Sequence, residues 1–514
     1  MTEGLKARNY WPGLLLFCAT LVVGLLHYKD YGISWDEPAQ RGLGRLTYAY
    51  VVHGDNTLKT YDDRRLGSGF ELPLIAFEKK AHLTNERDIY LSRHIITHIF
   101  FLIGVLCGYV LALRLFNSQF MACLAFVMLA FEPRIYAHSF FNTKDVPFLA
   151  AFLMVMLAVQ VSFDKDKPIW YLFAGLICGY ATSIRAMGIL FVLIVLSFFL
   201  ADVFIRAIRK QRVWPVIFNA FWFMIGFCAL LYLAWPLLWG SPVSTFIESF
   251  QSLSGIVWTG KVLFRGSFYA GNMLPLDYMP VWFAITVPEL WLTTGLAGFV
   301  WVIVAFVKTP AVFLANSPQR NFLLYVGTFA LPIIAMWLFH GVNIDDWRHI
   351  YFIYPPFVML ALFTINKFAT ARMKVVVRSA CMLQIVLIAF FMIRNHPFQQ
   401  VYFNNLVSHK KEYLRKNYDL EYWGCAYKNG LEYILAHDTS SVIRLWVLND
   451  PSLNAIRFLP ESSKKRVVGV FETEHPDYFI TNFREHPQDY KYPNVFYNIT
   501  VMNSTIMRVY KLKK

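Results

Sequence analysis

The chain has 514 residues, of which 57% are hydrophobic, 18% aromatic and 16% charged. A soluble domain usually carries about a quarter charged residues, so this composition argues against a soluble globular protein. The formal net charge of +15 would suit a nucleic-acid-binding protein, but the basic residues gather in short loops between apolar runs, so no nucleic-acid partner is predicted.

Eleven apolar runs reach or approach the roughly 20 residues that a membrane-spanning helix needs. They are 11–27, 95–113, 120–131, 147–163, 169–183, 188–205, 216–235, 290–307, 322–340, 351–365 and 379–393. No small-residue cleavage site follows the first run, so we interpret this run as a signal anchor. The sequence predicts a polytopic α-helical membrane protein with about eleven transmembrane helices.

Lysine and arginine concentrate in alternate loops, for example 206–212 and 367–378. Because cytoplasmic loops are rich in these residues, this pattern places the N-terminus in the cytoplasm. The other loops, including 28–91, 132–146 and 236–288, and everything after Arg394 are then expected on the outer face.

The first outer loop has two stretches, 37–52 and 70–80, whose mixed apolar and polar spacing indicates helices lying at the membrane interface. From residue 395 the composition becomes too polar to span. Strand-like runs at 441–448, 467–471, 478–481, 495–501 and 505–512 accompany a helical stretch at 429–437. We therefore expect a transmembrane domain, 1–394, and a small C-terminal extracytoplasmic α/β domain, 395–514.

Ionisable residues near spans are costly unless they are used, and several lie at predicted outer helix ends. They occupy four segments: 34–38, 133–147, Arg185 between two spans, and 343–349. Each segment also has a purely structural interpretation. Asp36 and Glu37 suit the first turn of a helix, and Lys144 and Asp145 suit an ion pair at the membrane interface. Arg185 is typical of a side chain that snorkels from a helix end, and residues 345–348 are typical of a solvated loop. Their occurrence on one predicted face favours a common site.

These residues carry a resemblance to a known family. The sequence resembles the GT-C glycosyltransferases, in particular glycosyltransferase family 39, which includes protein O-mannosyltransferases and the aminoarabinose transferase that modifies lipid A. The resembling features are the Asp36-Glu37 pair, Asp145, Arg185 and the segments 347–356, 396–404 and 422–424. The resemblance implies a GT-C-like fold and a sugar transferred, with inversion, from a polyprenyl-phosphate-linked donor on the outer membrane face.

On this interpretation Asp36 is the general base, with Glu37 orienting it or raising its pKa, and Asp145 shares the base role or binds the acceptor. Cations would stabilise the departing lipid phosphate. The substrate-binding candidates are Lys144, Arg185, Arg348, His349, Arg134, His138, Asn142 and Trp35. A formal Asp-x-Asp, 164–166, lies on the predicted cytoplasmic side and is interpreted as a loop.

The predicted partners are the polyprenyl-phosphate sugar, membrane lipids and an acceptor that is a glycan, a lipid or a protein. No cofactor is assigned, and a divalent metal ion is left open. The resemblance favours a bacterial inner membrane. The alternative function is a secondary transporter or a lipid-linked sugar flippase, whose ionisable residues would lie nearer the bilayer midplane.

Overall fold

The computed structural model describes residues 9–255, 260–315, 317–338, 344–370, 372–448 and 451–512. The α-helices are α1 (Trp11–His27), α2 (Asp36–His53), α3 (Glu71–Lys80), α4 (Glu86–Phe116), α5 (Gln119–Ala130), α6 (Pro133–Phe141), α7 (Asp145–Lys165), α8 (Pro168–Ile184), α9 (Ile189–Ile208), α10 (Trp214–Ala234), α11 (Pro242–Gly255), α12 (Tyr278–Thr286), α13 (Glu289–Lys308), α14 (Pro310–Ala315), α15 (Ser317–Leu338), α16 (Tyr354–Phe368), α17 (Lys374–Arg394), α18 (Tyr413–Asn417), α19 (Tyr427–His437), α20 (Pro451–Arg457) and α21 (Glu461–Lys464). His340 and Asn343, which end and begin two of the predicted segments, lie outside the described residues.

Within the described ranges, eight helices are long and apolar enough to cross a membrane, or nine if the bent pair α5 and α6 forms one span. Two shorter apolar helices, α1 and α8, coincide with predicted spans and have 17 residues each. The polytopic helical class is confirmed, whereas the number of spans and their orientation stay predictions.

The segment after α5, which was predicted to connect two spans on the outer side, is helical. Residues Pro133–Phe141 form helix α6, bent by 60° from α5, and every one of its side chains is buried. Proline at the first helical position starts a new helix, and the Glu132 carboxylate caps it by accepting a bond from the Ile135 backbone N–H at 2.7 Å. The polar residues of this segment therefore face the protein interior, and its side of the membrane stays a prediction.

Helices α2 and α3, which lie between α1 and α4, correspond closely to the stretches 37–52 and 70–80 predicted as helices. Acidic residues in the first turn favour the start of α2, and Gly54 ends it in a left-handed conformation at φ 69°. A buried ion network ties both helices to α4: Arg93 binds Glu71 of α3 and lies 3.2 Å from Glu78, which also accepts a bond from Arg41 of α2 at 3.0 Å.

We predict that Arg93→Met lowers stability. The Arg93 side chain is completely buried, so its removal leaves two carboxylates without their shared cation, a loss of about 3–5 kcal/mol. The unfolding temperature of the purified protein in detergent measures the effect. Lys79→Met, at an exposed position of α3, is the matched control, and equal unfolding temperatures for the two variants would contradict the prediction.

The C-terminal part contains the predicted strands. They are β3 (Ile443–Val447), β4 (Val467–Val470), β5 (Tyr478–Thr481), β6 (Val495–Val501) and β7 (Ser504–Lys511), and they form one sheet in the order β4-β3-β5-β7-β6. Strand β3 pairs in parallel with β4 and β5, while β7 is antiparallel to β5 and β6.

A hairpin of β1 (Lys261–Phe264) and β2 (Ser267–Ala270) was not predicted. It joins the large loop between α10 and α13 to the C-terminal part, because Phe264 forms a bridge with Tyr418 and the Leu263 N–H donates to Asp419 at 2.9 Å. The C-terminal residues therefore pack against the loops at one end of the helical bundle.

Candidate functional site

Asp145 is the first residue of α7, and the preceding turn fixes its side chain. Asn142 accepts bonds from the backbone N–H groups of Lys144 and Asp145 at 3.1 and 2.8 Å. Its amide nitrogen donates to Asp145 Oδ2 at 2.9 Å. Asn142, a predicted substrate ligand, therefore orients the carboxylate of Asp145.

Arg185 reaches this carboxylate from the end of α8. Its Nη1 donates to Asp145 Oδ1 and, at 3.2 Å, to the carbonyl oxygen of His349, while its Nη2 lies 2.9 Å from His349 Nδ1. Burial lowers the pKa of Arg185, and the Asp145 carboxylate acts against this shift. The snorkelling alternative for Arg185 therefore does not apply, since its guanidinium is engaged inside the protein.

Arg348 joins the acidic groups of three segments. Its Nη1 lies 2.9 Å from Asp36 Oδ2 and 3.3 Å from Asp145 Oδ2, and its Nη2 lies 3.2 Å from Asp345 Oδ2. The guanidinium also lies 4.5 Å from the ring centroid of Trp423. Residues far apart in the sequence thus converge on one buried guanidinium, and the solvated-loop alternative for 345–348 is wrong.

Asp36 is the accessible carboxylate of this cluster. A third of its side chain, 33%, is exposed, compared with 2% for Asp145 and 8% for Asp345. Desolvation by the surrounding protein raises the pKa of Asp36, and the positive charge of Arg348 lowers it. The negative charges of Asp345 and Asp145 add to the increase, so the pKa lies above its usual value. Asp36 therefore combines access to a substrate with an increased affinity for a proton.

Two predicted residues lie outside the cluster. Glu37 is completely buried and its oxygens contact the Ser34 backbone N–H at 2.8 Å and His94 Nε2 at 3.1 Å. Lys144 directs its ammonium group at the carbonyl oxygen of Gly67, and burial lowers its pKa to about 7, assisted by the charge of Arg185. Glu37, which was expected to orient Asp36 or raise its pKa, instead makes contacts that anchor α2, and Lys144 holds the segment between α2 and α3.

Arg134 and His138 support the site from α6. Arg134 is buried and lies 3.0 Å from Asp346 Oδ2, and His138 accepts a bond from Trp423 Nε1 at 2.9 Å. The pKa of Asp346 is raised to about 6 by burial, against the opposing charge of Arg134. Trp35, by contrast, is exposed, and its backbone N–H donates to the Trp423 carbonyl oxygen at 3.0 Å.

Three C-terminal residues complete the site and were not among the predicted ones. Tyr422 donates to Asp346 Oδ2 at 2.6 Å, Trp423 covers Arg348, and Arg484 lies 2.9 Å from Asp345 Oδ1. The segment 422–424 had a signal in the family resemblance. Arg484 had none, because it lies 139 positions from its ion-pair partner Asp345 and no sequence pattern links the two.

A divalent metal ion at the cluster would need free carboxylate oxygens from Asp36 and Asp145. A guanidinium, from Arg348, already lies between Asp36 and Asp145, and the second oxygen of Asp145 binds Arg185. Two cations thus satisfy the carboxylates at the place where a metal ion would need them. The pair as arranged does not fit a metal ion.

A second group with metal-ligand chemistry lies apart from this cluster: His27, Asp30 and His396. Asp30 Oδ2 accepts from His396 Nε2 at 2.7 Å, and the other ring nitrogen of His396 lies 3.0 Å from the amide nitrogen of Gln399. The ring nitrogens of His396 are therefore already satisfied by hydrogen bonds, which fits a neutral imidazole that joins α1 to the segment after α17.

The Asp-x-Asp at 164–166 lies at the other end of α7 from Asp145. A helix of 21 residues is about 30 Å long. Asp164 pairs with Arg114 at 2.6 Å, and Asp166 accepts from Asn219 at 2.9 Å. These carboxylates stabilise a helix end and take no part in the cluster.

A family model described as dolichyl-phosphate-mannose-protein mannosyltransferase matches residues 88–237. Over this segment the chain is similar to these mannosyltransferases. The match confirms the resemblance predicted from the sequence. It includes Asp145 and Arg185 but neither Asp36 nor Arg348. No curated protein matches the chain.

Solved structures provide more distant likenesses. ArnT from Cupriavidus metallidurans in the apo state is 10% identical with a TM-score of 0.49, over 96% of this chain and 97% of that chain. ArnT from the same organism bound to undecaprenyl phosphate is 11% identical with a TM-score of 0.38, over the same shares. The Archaeoglobus fulgidus oligosaccharyltransferase in the apo form is 11% identical with a TM-score of 0.47, over 93% of this chain and 70% of that chain. These values are too low to transfer a function.

Proposed function

We propose that this protein is a membrane glycosyltransferase that moves a sugar from a polyprenyl-phosphate-linked donor to an acceptor on the outer membrane face. The observation that carries the proposal is the convergence of Asp36, Asp145 and Arg185 around Arg348. An accessible carboxylate beside buried cations supplies the two functions that the reaction requires, a proton acceptor and stabilisation of a leaving phosphate.

Asp36 acts as the general base. The acceptor hydroxyl or amine forms a bond to the anomeric carbon, while the bond from that carbon to the phosphate oxygen breaks and its electron pair stays on the phosphate. The acceptor proton moves to the carboxylate of Asp36. This carboxylate contacts Arg348 through Oδ2, and part of the Asp36 side chain stays exposed. Attack from the face opposite the phosphate gives inversion at the anomeric carbon.

Arg185 and His349 form the proposed phosphate site. Because His349 Nδ1 faces an N–H of Arg185, its Nε2 carries the proton of the neutral ring. This buried Nε2 has no hydrogen-bond partner in the described part of the chain. An N–H donor beside a guanidinium suits a phosphate oxygen, which accepts several charge-assisted bonds.

Asp145 has a positioning role in this scheme. Its two oxygens hold the two guanidiniums of Arg185 and Arg348, and Asn142 fixes its orientation. Asp145 thereby fixes the spacing between the proposed phosphate site and the proposed base. Arg134 acts through Asp346, which it contacts. His138 acts through Trp423, which in turn lies over the Arg348 guanidinium.

The membrane arrangement follows from the same proposal. The domain 1–394 binds the lipid-linked donor, and residues 395–514 form an extracytoplasmic domain above the outer face of a bacterial inner membrane, with the N-terminus in the cytoplasm. The charge distribution along the loops supports this orientation. Since Arg348 occupies the place between the two carboxylates, transfer proceeds without a divalent metal ion bound to Asp36 and Asp145.

The test is transfer in proteoliposomes with a radiolabelled polyprenyl-phosphate sugar and a mixture of membrane glycolipids. We expect loss of label from the donor lipid and its appearance in a second product, unchanged by EDTA. Movement of intact donor lipid between leaflets without a new product would instead establish the flippase alternative.

A pH effect follows from the charges around Asp36. Asp345→Asn removes a negative charge that raises the pKa of Asp36. Asp36 then stays deprotonated to lower pH, so the acid limb of the kcat/KM profile moves to lower pH. Asparagine suits this position because Asp345 has a left-handed φ of 58°.

The matched control is Asp277→Asn, a half-exposed carboxylate that pairs with Arg265 outside the cluster. Its pH profile should coincide with that of the unchanged protein. An acid limb that stays in place or moves to higher pH in Asp345→Asn would show that Asp36 is not the group that titrates.

A further inference from the structure

A buried polar pair links the start of α2 to α4. Oε1 of Glu37 lies 3.1 Å from His94 Nε2, and both side chains are completely buried. The other carboxylate oxygen of Glu37 accepts a bond from the Ser34 backbone N–H at 2.8 Å. Glu37 directly follows Asp36 in the first turn of α2. These two contacts of Glu37 therefore hold the turn that carries the proposed base.

The residue before α2 does not cap this helix. Trp35 has a helical conformation, with φ −52° and ψ −44°, and its side chain makes no capping bond. A helix usually gains a fixed start from a side-chain oxygen that accepts a backbone N–H of the first turn. Here Glu37 reaches back three residues to the Ser34 N–H, which is one of the two bonds of a capping box. The orientation of the Glu37 carboxylate therefore decides how α2 begins.

Three parts of the chain orient the imidazole of His94. A carboxylate only accepts hydrogen bonds, so the Nε2 that faces Glu37 carries a proton. The Nδ1 lies 3.4 Å from the carbonyl oxygen of Tyr28, which follows α1. The ring of Phe458, from the C-terminal part, is buried and lies nearly parallel to the imidazole, at 25° and 5.9 Å between centroids. This packing keeps Nε2 directed at Glu37.

The serine, carboxylate and histidine of this group do not suit nucleophilic catalysis. Ser34 Oγ donates to the Phe141 carbonyl oxygen at 2.9 Å, and Ser34, Glu37 and His94 are all completely buried. A nucleophile needs both an activating base and access to a substrate. The route from this group to the candidate site is the peptide bond that joins Glu37 to Asp36, whose side chain is 33% exposed.

We propose that His94 is a positioning residue of the transfer reaction. It holds Glu37, and Glu37 holds the first turn of α2, so that the Asp36 carboxylate stays 2.9 Å from Arg348. The inference rests on the proposed function, in which Asp36 is the general base. A displacement of about 1 Å at a reacting group can lower a rate by about 10²-fold, so this indirect contact is sufficient to affect turnover.

The experiment compares two amide variants of His94 in the reconstituted transfer assay. The amide nitrogen of glutamine can take the place of Nε2 and donate to Glu37, whereas asparagine carries the same amide on a shorter side chain. We expect His94→Asn to lower kcat by about 10- to 10²-fold and His94→Gln to keep most of it. KM for the polyprenyl-phosphate sugar should stay unchanged in both, because the proposed phosphate site, Arg185 and His349, belongs to other segments.

Thr97→Val is the matched control. Thr97 is buried on the same helix, and its Oγ1 donates to the Arg93 carbonyl oxygen within α4 at 2.8 Å, so this variant should transfer normally. Equal kcat values for His94→Asn and His94→Gln would overturn the positioning role. Loss of folding in either variant, or a rise in KM in place of a fall in kcat, would also overturn it, since His94 would then serve stability or binding. Absence of transfer by the unchanged protein would overturn the proposed function, and the positioning role with it.

Discussion

Asp36→Asn is expected to reduce transfer by about 10²- to 10⁴-fold, the usual contribution of a general base. The amide has nearly the shape of the carboxylate and can still accept a bond from Arg348 at the position of Asp36 Oδ2. It cannot take a proton from the acceptor. The loss should therefore appear in kcat, while binding of the polyprenyl-phosphate sugar changes little.

Turnover and donor binding are measured on the same reconstituted preparation. Asp62→Asn is the matched control, since Asp62 belongs to the same predicted outer loop and is exposed. Full turnover by Asp36→Asn would remove this residue from the mechanism. An equal loss in Asp62→Asn would indicate a general disturbance of the loop.

The sequence could indicate the convergence of Asp36, Asp145 and Arg185 because all three lie at predicted helix ends on one membrane face, where side chains from different helices can meet. Charged residues near spans are costly, so their recurrence at these ends was informative. The helices α2 and α3 and the C-terminal strands could be predicted for a different reason: the apolar spacing that indicates them is a local property of the sequence. The number of spans was less accessible, because α1 and α8 have only 17 residues each.

The distinction between Asp36 and Glu37 required the structure. Successive residues of a helix point about 100° apart, so only one of the two can face the cluster. Glu37 faces α4, where His94 binds it at 3.1 Å, and Asp36 faces Arg348. A sequence pattern with both acids in the first turn does not contain this choice, which depends on how α2 packs.

The site residues of the C-terminal part could not be predicted from the sequence, for another physical reason. Trp423 and Arg484 reach the site through long-range packing of an irregular segment and a strand end. These contacts join residues far apart in the sequence, so no local periodicity indicates them. Helix α6 was hidden similarly, because a buried helix with Arg134 and His138 has the composition of a polar loop.

Arg348→Ala is expected to lose about 10²- to 10³-fold in transfer, the usual effect of removing a group that stabilises developing charge. The loss has two sources. The departing phosphate loses a neighbouring cation, and three carboxylates, Asp36, Asp145 and Asp345, lose the guanidinium they share. Their mutual repulsion then favours protonation of Asp36, which removes the base as well.

Arg348→Lys distinguishes charge from geometry. An ammonium keeps the positive charge but cannot bridge Asp36 and Asp145 with Nη1 while Nη2 contacts Asp345. We therefore expect only a small part of the activity to return. Lys165→Ala, at the opposite end of α7, should transfer normally. Equal activities of Arg348→Ala and Lys165→Ala, at equal unfolding temperatures, would exclude the site, because a guanidinium that joins three carboxylates at a working centre cannot be removed without consequence.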